Sequence, residues 1–183
     1  EQIGGCTVCA GAGKGREVMI GLLSATPRSS DTQQPIFLDF GHVEIATASF
    51  LREAVLGYRN ILREQGSPFY AVVANANDAI QEEIEELALS KGEALLACEL
   101  DASGAVVASK TLGRLEPKQQ MVFDLVHERG ESDAAELQRD FGEAEGIKQT
   151  AWNNRLSALA ASGLLVEVNR GRSKRYRPIL VGA

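Results

Sequence analysis

The sequence predicts an α/β domain over residues 1–112 and a smaller domain of helices and a β-hairpin over residues 118–183, with a linker at 113–117. Three observations predict this. Short apolar segments alternate with helical patterns through the first part, the order of a sheet covered by helices. The stretch Gly113-Arg-Leu-Glu-Pro117 interrupts that order with residues that break regular structure. The charge divides at the same place: residues 1–116 carry a net −7 and residues 117–183 a net +1, within a total of −6.

In the first domain a strand is expected over residues 2–9, then a loop with Gly11, Gly13 and Gly15, then a short helix over 17–23 carrying Val18, Met19, Leu22 and Leu23. Residues 35–40 (Pro-Ile-Phe-Leu-Asp-Phe) read as a buried strand, rich in β-branched and aromatic side chains. A helix follows over 47–63, because Phe50, Leu51, Ala54, Val55, Tyr58, Ile61 and Leu62 recur at three- and four-residue spacing. Strands are expected at 69–74 and 94–100, separated by a helix over 78–90 that Asn77 caps. Asp101-Ala-Ser-Gly104 turns the chain into a hairpin partner over 105–111.

In the second domain Pro117 suits the first position of a helix running through 119–128. Ser132 is the expected cap of a second helix over 133–141, with Ala135, Leu137 and Phe141 inward. A third helix is expected over 147–162, with Gly163 as its C-cap. Two strands, 164–169 and 174–180, flank Arg170-Gly-Arg-Ser173.

Composition sets limits. With 183 residues, 44% hydrophobic and 24% charged, the chain is neither disordered nor collagen-like. Its longest apolar runs, about five or six residues, are too short to span a bilayer, so no membrane partner is expected. No targeting segment is evident. The three cysteines are an odd count without a secretory signal, which favours a reducing cytoplasm over a disulfide framework. Cys6-Thr-Val-Cys9 is similar to one zinc half-site of a DnaJ-like cysteine-rich repeat, but structural zinc needs four ligands. Thiols buried in a strand are the expectation, with no metal and no cofactor. Gly11-Ala-Gly-Lys-Gly-Arg16 fails the phosphate-loop pattern, because Val8 and Gly15 stand where Gly and Ser or Thr are needed. It remains a candidate anion site through Lys14 and Arg16. His42 and Glu44 lack a third partner, and no catalytic set is identifiable, so an enzyme is not expected.

Three short helices followed by a basic hairpin is the order of a winged helix-turn-helix. Leu156, Leu159, Gly163-Leu164-Leu165 and Arg170-Gly-Arg172 to Tyr176 carry a resemblance to MarR-like bacterial regulators over about 65 residues. Between Lys148 and Arg177 the chain has seven basic residues and one acid. The resemblance implies that the third helix enters the DNA major groove and offers its N-terminal side chains to base edges. Those are Lys148, Gln149, Thr150, Asn153 and Trp152, with Arg155 further along. Gln and Asn can pair adenine, and Lys can reach guanine. Arg170, Arg172, Lys174 and Arg175 suit phosphates or the minor groove. For Trp152 a core position is an equal alternative.

Asp39-Phe40, Val43 and Ser49-Phe50 make the first domain resemble the STAS superfamily, and more closely the bacterial STAS-like domains of unknown function, over approximately residues 1–112. In anti-sigma antagonists of the STAS superfamily a Ser at this helix start is phosphorylated. Aligned on Asp39 and Val43, that position is Ala48, with Thr47 before it and Ser49 after it. A cap and a buried small residue are therefore the favoured reading of Thr47 and Ser49. Together with Lys14 and Arg16 they form the candidate anion or signal site.

The expected function is that of a cytoplasmic bacterial transcriptional regulator. Its winged helix reads double-stranded DNA, and its STAS-like module senses a protein partner or ligand or mediates dimerisation; a homodimer is expected. The alternative is a protein-interaction switch of the anti-sigma-antagonist type, in which the winged helix docks protein.

Overall fold

The computed structural model describes residues 7–171 and 173–180. It is a mixed α/β chain in two compact units that divide between Arg114 and Leu115. The first unit runs β1 (Val8–Cys9), α1 (Ala12–Ala25), β2 (Gln34–Asp39), β3 (Ile45–Ala46), α2 (Ala48–Leu51), a π-helical turn (Arg52–Gly57), α3 (Tyr58–Glu64), β4 (Phe69–Ala74), α4 (Asp78–Lys91), β5 (Ala94–Leu100) and β6 (Val106–Gly113).

The main sheet has the order β2-β4-β5-β6. β2, β4 and β5 are parallel, and β6 is antiparallel to β5. Parallel neighbours need crossovers, which α2–α3 and α4 provide. β5 and β6 need only a tight turn: Asp101 accepts hydrogen bonds from the Ser103 and Ala105 N–H groups and from the Ser103 hydroxyl. Asn75, at φ 53, is the one described non-glycine residue with positive φ. Its side chain donates to Asp39 Oδ1 at 3.0 Å and accepts from the Leu100 N–H at 2.8 Å, tying the ends of β2 and β5 to β4.

Leu38, Phe69, Val73, Leu95 and Leu112 of the sheet belong to one core with Ile80, Ile84 and Ala88 of α4 and Phe50, Leu51, Val55 and Leu62 of the α2–α3 segment. The uninterrupted helix expected over 47–63 contains the π-helical turn. Ala54, Val55 and Leu56 within it are consecutive and all buried, because α1 covers this segment as well as the main core. Buried Arg59 pairs with Glu93 and donates to the Ala94 carbonyl at 3.3 Å.

The glycine loop is corrected. Gly13 and Gly15 lie inside α1, which begins five residues before the expected helix. Only Gly11 takes a loop conformation, at φ 84. Gly15 serves packing instead: a Cβ there would lie 2.7 Å from the Phe50 carbonyl oxygen, so α1 approaches α2 closely because this side chain is absent. β3 was not expected. It pairs with β1 in parallel, Val8 opposite Ile45 and Cys9 opposite Ala46. Of the expected strand over 2–9, residues 2–6 lie outside the described residues, Cys6 of the zinc half-site among them. Cys9 is buried, as expected of a strand thiol. Burial also pushes the Cys98 thiol up to about 11, so it stays protonated and unreactive at neutral pH.

The second unit runs α5 (Pro117–Arg129), α6 (Ala134–Glu145), α7 (Gln149–Ala161), β7 (Leu165–Arg170) and β8 (Ser173–Pro178), with β7 and β8 antiparallel. Val122 and Val126 of α5, Leu137 of α6, Trp152, Leu156 and Leu159 of α7 and Tyr176 of β8 are all buried. The cap of α6 is corrected from Ser132 to Asp133. Asp133 Oδ1 accepts from the Ala135 and Glu136 N–H groups, and Glu136 reaches back to the Asp133 N–H. Both Ser and Asp cap well. Ser132 is diverted because its backbone pairs in both directions with Tyr176, at 2.9 and 2.8 Å. The helix therefore shifts by one residue, so Ala134 is buried and Ala135 exposed. At the end of α7 the C-cap is Ser162, and Gly163 follows it at φ 78. Leu164 N–H donates to the Leu159 carbonyl and Gly163 N–H to that of Ala160, which closes the helix.

The glycines of α1 give a paired test. Gly15→Ala should destabilise the protein by about 1–3 kcal/mol through overpacking. Gly21→Ala meets open space and should stabilise it by about 0.5–1 kcal/mol, the ordinary gain of Ala over Gly inside a helix. Urea unfolding of the two variants checks both signs.

Candidate nucleic-acid interface

α7 is anchored on one side and open on another. Trp152, Leu156 and Leu159 recur at i, i+4 and i+7 and are fully buried or nearly so. Gln149, Thr150, Asn153 and Ser157 are exposed, and their spacing places them along a different face of the helix. Lys148 precedes them as the exposed N-cap residue. The first turn contains no acid, so nothing opposes the partial positive charge of the helix start. Lys148, Gln149, Thr150 and Asn153 are thus brought together.

Trp152 is not among them. Its ring is 0% exposed, and its indole Nε1 is buried with no hydrogen-bond partner among the described residues. The core reading of Trp152 therefore replaces the base-contact reading. The sequence could not decide, since an amphipathic aromatic suits either place. Arg155 is also separated from the open face. It lies roughly 120–160° around the helix from Gln149, Thr150 and Asn153. Its Nη1 donates to the Ala151 carbonyl at 3.3 Å, and it lines a shallow groove with Glu116, Gln119 and Asn154.

The hairpin holds a network that charge counting did not reveal. Arg175 donates through Nε to Glu131 at 2.5 Å and through Nη1 to Asp133 at 3.2 Å. Its Nη1 and Nη2 donate to the two carboxylate oxygens of Glu136, both at 3.0 Å. Its side chain is only 22% exposed. Arg175 is therefore corrected from a DNA-contacting residue to a brace between β8 and the start of α6. Arg170 pairs with Glu131 at 3.3 Å, and Lys174 with Glu167 at 2.9 Å. Their side chains are 67% and 60% exposed. Such surface pairs are worth at most about 1 kcal/mol, so both cations can exchange a carboxylate for a phosphate. Arg172 lies outside the described residues. Tyr176 adds a further tie, its hydroxyl 3.1 Å from Ser157 Oγ of α7 and 3.3 Å from Glu167.

In the second candidate site both cations have carboxylate partners. Lys14 pairs with Glu17 at 3.3 Å, and Arg16 with Glu53 at 3.1 Å. Thr47 caps α2: its Oγ1 accepts from the Phe50 N–H at 3.4 Å and from the Gly11 N–H at 3.1 Å. Ser49 Oγ lies 3.2 Å from the same oxygen. These hydroxyls join the starts of α1 and α2. Among the described residues, no group of His, Cys, Asp and Glu side chains is arranged to hold a metal ion, and no helix is long and apolar enough to cross a membrane.

Comparison with protein-family models and with curated proteins finds no match for this chain.

Two outcomes follow from the network and from the buried indole. The Arg175 guanidinium beside Glu136 holds that carboxyl below the usual range, helped by bonds from Asp133 N–H and the Ser132 hydroxyl and opposed by partial burial. A depressed carboxyl pKa stabilises the fold above the unfolded value and loses that contribution as pH falls through the folded value. Thermal stability of the second unit should therefore decline as pH drops below about 4, and Glu136→Gln should flatten the decline. Separately, the emission of the sole tryptophan should be blue-shifted and resist acrylamide quenching until the second unit unfolds.

Proposed function

We propose that the chain is a DNA-binding transcriptional regulator. In this reading residues 115–180 form a winged helix-turn-helix, α7 is the recognition helix, and the β7–β8 hairpin is the wing. The first unit is a STAS-like module that receives a partner or ligand or joins two copies. The observation that carries the reading is α7 itself: a helix locked on one side by Trp152, Leu156 and Leu159, with Lys148, Gln149, Thr150 and Asn153 open on another. A rigid helix with amide, hydroxyl and ammonium groups at its exposed start is what major-groove readout requires. The element order supports it, as does the Ser132–Tyr176 bridge, which adds an extended residue beside the hairpin ahead of α6. No catalytic role is proposed.

The reading assigns distinct roles. Gln149 and Asn153 read bases, and Thr150 adds a hydroxyl beside them. Lys148 reaches guanine, and Arg170 and Lys174 meet phosphates, with Arg172 as a further phosphate ligand. Arg175 holds the wing in place without touching DNA. A specific observation favours the second reading, a domain that docks protein: Arg170, Lys174 and Arg175 already have carboxylate partners, which reduces the field available to DNA.

Fluorescence anisotropy with fragments of the gene's own promoter separates the two. Under the DNA reading, affinity falls steeply with salt through counterion release, and each phosphate ligand removed lowers the log–log slope by about 0.9. Arg170→Ala and Lys174→Ala should weaken all sequences alike, and Lys148→Ala chiefly the preferred one. Gln149→Ala with Asn153→Ala should cost about 1–3 kcal/mol per lost base contact on the preferred sequence alone. Unchanged affinity in the combined Lys148, Arg170, Lys174 variant would exclude the DNA reading.

A further inference from the structure

Ser157 lies on the open face of α7, and the roles assigned above leave it out. It stands one turn beyond Asn153, about 6 Å further along the helix axis, and with Gln149, Thr150 and Asn153 it spans about 100° of the helix circumference. It is exposed. Its hydroxyl oxygen lies 3.1 Å from that of Tyr176 on β8, a distance at which either oxygen could give the proton. The other partners of Tyr176 decide which one does.

Tyr176 is 1% exposed, and its hydroxyl also meets Glu167 Oε2, at 3.3 Å. The other oxygen of Glu167 accepts from Lys174 Nζ at 2.9 Å, so Glu167 faces the phenol as a carboxylate, which only accepts. Burial above all holds the Tyr176 phenol above its ordinary range, so it keeps its proton at neutral pH. A phenol has one proton to give. Given to Glu167, it leaves the Tyr176 oxygen an acceptor toward Ser157. The Ser157 proton then points at Tyr176, and Ser157 turns its lone pairs outward. The bonds run in one direction, from Ser157 to Tyr176 to Glu167. Moving Lys174 onto a phosphate makes Glu167 the stronger acceptor and keeps that direction.

We propose that Ser157 selects bases by accepting a hydrogen bond from an amino group in the major groove; this rests on the DNA reading. Phosphate oxygens, guanine O6 and N7 and thymine O4 only accept, so none of them bonds Ser157 in this state. Adenine N6 and cytosine N4 donate. A free serine hydroxyl bonds either kind of group, whereas one whose proton is already placed tells them apart. Tyr176 and Glu167 touch no base and are positioning residues.

The probe is a randomised duplex DNA library selected on the full chain and sequenced, which gives the base preference at each bound position. The wild type should favour adenine or cytosine at one position by about two- to tenfold, the range of one hydrogen bond. Ser157→Ala should level that position alone. Tyr176→Phe keeps the ring and removes the acceptor, so the serine proton is released and guanine or thymine should enter at the same position. Neither change removes a charge, so the salt dependence of binding should stay that of the wild type. Thermal melts show whether each variant is folded. If Tyr176→Phe unfolds the unit, Glu167→Gln replaces it: the new amide can turn its N–H groups to the phenol, and the same widening is expected. A serine that only ties α7 to the hairpin would change stability and overall affinity but no single position's preference, and that result would overturn the proposal. So would a Tyr176→Phe profile equal to that of the wild type. A wild type that enriches no sequence sinks the DNA reading itself. Enriched preferences that survive every variant sink only the role of Ser157.

Discussion

The second unit depends on one guanidinium. Arg175 on β8 meets Glu131, Asp133 and Glu136, all placed where the chain enters α6. Asp133 and Glu136 also form the capping box of that helix. The same carboxylates therefore serve the helix start and the hairpin, and neither can shift without disturbing the other. Partly buried ion networks contribute little net stability, because desolvation offsets attraction, but removing one member leaves the others uncompensated. Their effect is to select one arrangement. With β8 fixed to α6, and Tyr176 reaching Ser157 on α7, the hairpin and α7 are held as parts of one frame.

The first unit is held by close approach. Gly15 lets α1 settle against the Phe50 backbone, and Gly113, at φ 92, ends β6 where a Cβ would lie 2.4 Å from the Glu93 carbonyl oxygen. Asn75 closes the ends of three strands with a side chain that accepts positive φ more readily than most. Each device resolves a packing demand that arises only after the sheet is assembled.

That distinction explains how much could be read from the chain. The alternation of strands and helices, the Asn77 cap and the hairpin at Asp101 were legible, because periodicity and turn chemistry are local. The anchoring stripe of α7 was legible for Leu156 and Leu159 and ambiguous for Trp152, whose ring suits both a core and an interface. The start of α1 was misplaced because glycines signal a loop by composition, whereas Gly13 and Gly15 sit in a helix that tolerates them. The role of Arg175 was hidden because its partners lie 39 to 44 positions earlier. Counting charge along the chain treated it as free. The candidate site was thus legible on the helix, where contacts are near in sequence, and misread on the hairpin, where they are not.

The internal pairing of Arg170, Lys174 and Arg175 also bears on search. A regulator must leave an immense excess of wrong sites, and free cations prolong every wrong encounter. Cations that already hold a carboxylate gain somewhat less from any phosphate, at a right or a wrong site alike, which leaves a larger share of the discrimination to the bases. On the DNA reading, the chain would therefore dwell briefly on random sequence and spend its residence time where the amides of α7 find their bases. The acids around the hairpin would then set how quickly a genome is scanned.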